Sequence, residues 1–125
     1  MKLINDFFEI SAIESQSDAI RCKVKLNPEH FIYKAHFPGN PVTPGVCLVQ
    51  MATEILSQEY HKDLMLDVLK NIKFKKIVNP DDEPVFVFTK VTDEETEQQL
   101  SASISIEDNE AQFAKLSVVY HYTNV

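Results

Sequence analysis

At 125 residues and 44% hydrophobic content the chain can bury one core but is short for two, so residues 1–125 read as a single domain. A net charge of −7 argues against a nucleic-acid partner. The two cysteines, Cys22 and Cys47, are too few for a disulfide framework or zinc site, no apolar run reaches membrane-spanning length, and residues 1–6 lack a secretory signal, so a cytoplasmic protein with no metal and no membrane partner is expected.

In chain order, residues 7–13 read as a strand. Residues 19–26 alternate cleanly, with Ile20, Cys22, Val24 and Leu26 on one face and Arg21, Lys23 and Lys25 on the other. Asn27 followed by Pro28 reads as a helix cap with proline at the first helical position, which predicts one short turn. The next segment is the most unusual. Three prolines and both of the chain's glycines fall between Pro38 and Gly45, directly after His36. Glycine tolerates positive φ and close approach, and proline fixes φ. The composition therefore predicts a rigid, irregular loop that holds a histidine in place.

The spacing of Val46, Val49, Thr53, Leu56 and Tyr60 predicts one long helix over residues 46–60. Leu48, Ala52 and Ile55 make it apolar over much of its circumference, so it should be buried on most sides. Residues 61–67 read as a loop or a frayed extension. Strands are expected over 70–78, 85–91, 100–106 and 113–122, with turns at 79–82 and 107–110 and a polar connection at 93–95. Strands joined by short turns pair antiparallel, and one helix on such a sheet is an α+β solution. A sheet of this size leaves the helix partly uncovered and its edges exposed, which dimerisation would remedy. Acidic residues crowd 93–97 and 107–110, while Lys70, Lys73, Lys75 and Lys76 cluster. That cluster reads either as the solvated face of a strand or as a basic patch steering an acidic partner.

The run His36-Phe37-Pro38-Gly39, then Pro41, then Pro44-Gly45-Val46 opening the helix, resembles the hotdog-fold 3-hydroxyacyl-acyl-carrier-protein dehydratases of the FabZ/FabA type. Downstream, residues 72–78 and Pro80-Asp81-Asp82 look like the family's segment after the helix. The resemblance implies an α+β hotdog fold, with one long central helix wrapped by a curved antiparallel sheet of five to six strands. It implies a homodimer or higher homo-oligomer with sites at the interface. The loop histidine, His36 here, comes from one subunit and a carboxylate from the partner's helix. Together they remove water from a 3-hydroxyacyl thioester to give a trans-2-enoyl thioester, in fatty-acid, lipid or polyene-type synthesis. The acyl group rides on the phosphopantetheine of an acyl carrier protein, and no other cofactor is required.

The chemistry fits those residue types. Histidine suits proton abstraction next to the thioester carbonyl. Backbone N–H groups at a helix N-terminus can bind the carbonyl as enolate character builds, which points to Gly45 and Val46, with Phe37 and Pro44 as further substrate contacts. Lys73, Lys75 and Lys76 are the expected contacts for the acidic carrier. The chain departs from the family at one place. The family's helix carboxylate falls fourteen residues after the histidine, where this chain has Gln50, and Glu54 stands one turn on. The two share a helix face, about 5 Å apart along the axis. Glu54 reads either as a solvent-facing helix acid or as an acid in the pocket. Three readings of the site stay open: Glu54 takes the carboxylate's role with Gln50 or a water as bridge; His36 works with Gln50 positioning the hydroxyl; or the site binds acyl thioesters without dehydration, or hydrolyses them.

Overall fold

The alternation over residues 19–26 forms a strand of one six-stranded sheet. The computed structural model describes residues 2–36 and 39–123. Among these, β1 (Phe8–Ser15), β2 (Ala19–Leu26), β3 (Asp63–Phe74), β4 (Val85–Glu94), β5 (Gln99–Glu107) and β6 (Gln112–Thr123) form one sheet. The spatial order is β1-β2-β4-β5-β6-β3, and every neighbouring pair is antiparallel. Inner-face residues Phe86, Phe88, Leu100, Ile104, Ile106, Leu116, Val118 and Tyr120 are buried. They meet the helix α2 (Gly45–Tyr60), whose Met51, Ala52, Ile55 and Leu56 belong to the same core. The Thr53 hydroxyl reaches the Tyr120 hydroxyl at 3.3 Å and ties α2 to β6. This is the α+β architecture expected, with six strands.

The structure corrects three local expectations. Asn27 does not cap a helix; its Oδ1 accepts from the Glu29 amide, an Asx turn. The short helix α1 (Phe31–Ala35) starts later and is capped by His30, whose Nδ1 accepts from the Ile32 amide at 3.1 Å. Residues 63–67 are strand, not loop. His61, at φ 54, ends α2 in the left-handed region, and β3 begins two residues on. The pairing of β3 with β6 slips between Leu66 and Val68 and again between Lys70 and Lys73, where Asn71 has φ 55. Such bulges break period-2 alternation, which is why the sequence pattern hides the strand. β4 likewise runs on through Asp93 and Glu94, which the sequence reads as a connection.

Candidate functional site

The histidine loop is held at both ends. At its start, Tyr33 is buried in α1 and its ring stacks on Phe7 with centroids 5.1 Å apart. His36 is the C-cap of α1: its backbone N–H donates to the Ile32 carbonyl at 3.0 Å, and its side chain is on the exposed surface. Phe37 lies outside the described residues. Gly39 has φ +86, a conformation that favours glycine. At its end, the Thr43 amide donates to the Val78 carbonyl at 2.9 Å, and the Thr43 hydroxyl meets the Tyr33 hydroxyl at 2.8 Å.

The loop delivers the chain into α2. Pro44 is the N-cap and offers no side-chain acceptor, and the first turn holds no acid. The first amides of a helix have no acceptor within it, so this end presents N–H groups and a partial positive charge. Gly45 is required by close approach rather than by φ: a Cβ there would lie 2.7 Å from the tip of the Phe74 ring. Phe74 therefore lies over the start of α2 and walls a groove of about 520 Å³ with Leu48, Ile77 and Val78. Lys75 and Lys76 edge this groove. The Lys75 ammonium donates to Gln112 Oε1, and that of Lys76 sits 5.5 Å over the Phe113 ring. Lys73 is exposed near the end of β3, paired in register with Lys115. The Val46 side chain is exposed.

Gln50 and Glu54 come together on a different face of α2. Glu54 is only 8% exposed, which removes the reading of it as a solvent-facing acid. Its Oε1 accepts from the amides of Leu3 at 2.9 Å and Ile4 at 2.7 Å, and its Oε2 accepts from the Leu3 amide and from Gln50 Nε2, both at 2.8 Å. The carboxylate thus pins the N-terminal segment to the helix and orients the glutamine amide. Both residues line a cavity of about 760 Å³, shared with Ile4, Ser57, Lys62 and Tyr122. His36 is not among the described residues lining that cavity. Two features of the site have little signature in the sequence. The Leu3 and Ile4 contacts use backbone groups and have none, while Tyr33 and Thr43 are marked only by being polar residues that flank the loop. No cluster of three metal-ligating side chains is present among the described residues, and no helix among them is long and apolar enough to cross a membrane.

Comparison with known proteins gives this geometry a context. Residues 12–116 match the model of the ApeI-like family, described as ApeI dehydratase. The 3-hydroxyacyl-acyl-carrier-protein dehydratase FabZ of Lactobacillus helveticus is 26% identical over 109 residues, 82% of this chain and 74% of that protein. FabZ of Lactiplantibacillus plantarum is 36% identical over 74 residues, covering 54% of this chain and 49% of that one. Against this FabZ and that of Levilactobacillus brevis the chain spans about half of the relative's length. Among solved structures, the dehydratase heterocomplex ApeI:P from Xenorhabdus doucetiae superposes with TM-score 0.69 at 13% identity, over 90% of this chain and 96% of that one. A hypothetical thioesterase with coenzyme A from Streptococcus pneumoniae gives 0.64 at 12% identity, over 96% and 91%. These likenesses show that the fold is the hotdog fold.

Proposed function

Because the chain belongs to the ApeI-like dehydratase family, we propose that it removes water from a 3-hydroxyacyl thioester to give the trans-2-enoyl thioester. The acyl group is proposed to ride on the phosphopantetheine of an acyl carrier protein, in fatty-acid, lipid or polyene-type synthesis. The observation that carries this reading is the anchored loop that runs from His36 into the N-terminus of α2. His36 takes the proton from the carbon next to the thioester carbonyl, and the C–O bond to the hydroxyl breaks as the double bond forms. The amides of Gly45 and Val46 bind the carbonyl oxygen as negative charge builds on it. The hydroxyl leaves as water after taking a proton, which the His36 imidazolium can return. Gln50, held by Glu54, positions that hydroxyl. Pro44 adds to the wall around the thioester, and no metal or organic cofactor is needed for these steps.

Among the described residues His36 does not line the cavity that Gln50 and Glu54 share, and we propose that the site is completed between two copies of the chain. The exposed edge strand β3, with apolar Met65, Val68, Leu69 and Ile72 at the surface, supports a homodimer formed along that edge. Lys73, Lys75 and Lys76 supply a local positive patch on an acidic chain, suited to a negatively charged carrier. A cytoplasmic location goes with such a substrate. The test is incubation with a 3-hydroxyacyl carrier thioester while enoyl product is followed. Wild type is expected to turn over, and His36→Ala to lose about 10²–10⁴-fold in rate. Wild-type enzyme at high concentration that makes no enoyl product overturns the reading. Free thiol released in its place would establish thioester hydrolysis, the activity for which the Streptococcus pneumoniae neighbour is named.

A further inference from the structure

We infer that Tyr33, through its hydrogen bond to Thr43, is a positioning residue that fixes the spacing between His36 and the N-terminus of α2; the inference rests on the dehydratase reading of this site. The bond is 2.8 Å long and closes the loop that begins three residues before His36 and ends two residues before Gly45. Both partners are out of water, with Tyr33 2% and Thr43 6% exposed. Thr43 is held a second time by its amide, which donates to the Val78 carbonyl, and Tyr33 a second time by the stack on Phe7. The crossbar is therefore seated on the core at both ends, while the residues between carry the histidine.

Packing alone does not ask for these two side chains. Phenylalanine and valine would fill nearly the same volumes without hydroxyls. A buried hydroxyl is unfavourable unless it is bonded, and here each is the other's partner. What the pair adds over an apolar contact is direction and length. The proposed reaction needs both. The imidazole must reach the carbon beside the carbonyl while the α2 amides hold the carbonyl oxygen, and a misplacement of about 1 Å can cost about 10²-fold in rate. Among the described residues the His36 backbone is held by the C-cap bond to Ile32, and the closure at Thr43 ties the far end of the loop to α1.

The experiment compares Tyr33→Phe, Thr43→Val, the double variant and Thr43→Ser in the full chain. Each hydroxyl deletion is expected to lower kcat about 10–100-fold with KM moved less than about threefold. The double variant should be no slower than the slower single one, because both break the same bond. Thr43→Ser, which keeps the hydroxyl, should restore kcat. NMR supplies a readout independent of turnover: the His36 imidazole signals and the Gly45 and Val46 amides should shift or broaden in both single variants and recover in Thr43→Ser. Additive losses, an unrescued Thr43→Ser, or unchanged NMR signals with unchanged kcat would overturn the inference. If wild type does not dehydrate but the NMR pattern appears, the function reading fails and the crossbar stands. Should Tyr33→Phe fail to fold, Thr43→Val and Thr43→Ser decide alone.

Discussion

Glu54 shows how far a residue's role depends on what it meets. Its carboxylate accepts from two backbone amides and one side-chain amide, so removing it takes the acceptor from the Leu3 and Ile4 backbone amides. Glu54→Ala is expected to cost about 1–3 kcal/mol, read by urea denaturation, and Glu54→Gln less, because one acceptor oxygen remains. A wild-type midpoint in Glu54→Ala would show that the N-terminal segment does not depend on this carboxylate. Burial also holds ionisable groups of the core in their neutral forms. It pushes the Cys22 thiol up from 9.0 to about 12, with the Glu59 charge adding to the shift. Burial likewise raises Tyr33 and Tyr120 to about 12, against a smaller opposing effect of their hydroxyl partners. Since the folded state holds these protons more tightly, their contribution is complete below pH 9 and is lost as pH rises towards 12. Far-UV circular dichroism and tyrosinate absorbance are expected to report cooperative alkaline unfolding in that window, rather than tyrosine ionisation within an intact fold.

The elements were legible where their periodicity is regular. β2 and α2 follow directly from spacings of two and of three to four, and their bounds match the pattern closely. β3 was half hidden because its two bulges shift the apolar residues between faces. The histidine loop was legible as irregular backbone, but the reasons for its two glycines differ and were not separable in sequence. Gly39 supplies a positive φ, while Gly45 makes room for the Phe74 ring. Gly45→Ala is therefore expected to cost about 1 kcal/mol, the low end of overpacking, since the half-exposed ring tip can swing aside. In a Phe74→Ala background the same change should cost nothing measurable by thermal denaturation. An equal cost in both backgrounds would locate the strain elsewhere.

Taken whole, the described residues form a six-stranded sheet around the long helix α2, with an apolar edge that a single chain does not cover. Met65, Val68, Leu69 and Ile72 project from β3, and Phe74 and Ile77 continue the strip towards the N-terminus of α2. An edge of this kind invites pairing with another chain. Sedimentation is expected to find a dimer, and Val68→Lys with Leu69→Lys to shift it towards monomer while the circular dichroism of the fold persists. A monomeric wild type would remove the shared-site arrangement along with the dimer.

Periodicity was enough for an α+β class with one long helix, and the consecutive residues from His36 to Val46 carried the dehydratase resemblance that implied the hotdog fold. The spacing of Gln50 and Glu54 also showed that they share a helix face. Their use is a matter of long-range contact: the amides that reach Glu54 belong to residues 3 and 4, about fifty positions away along the chain. Backbone donors have no residue-type signature, so no reading of side chains could have assigned that carboxylate its partners. The same holds for the crossbar from Tyr33 to Thr43 and for the ring of Phe74 over Gly45, which exist because packing brings distant surfaces to contact distance.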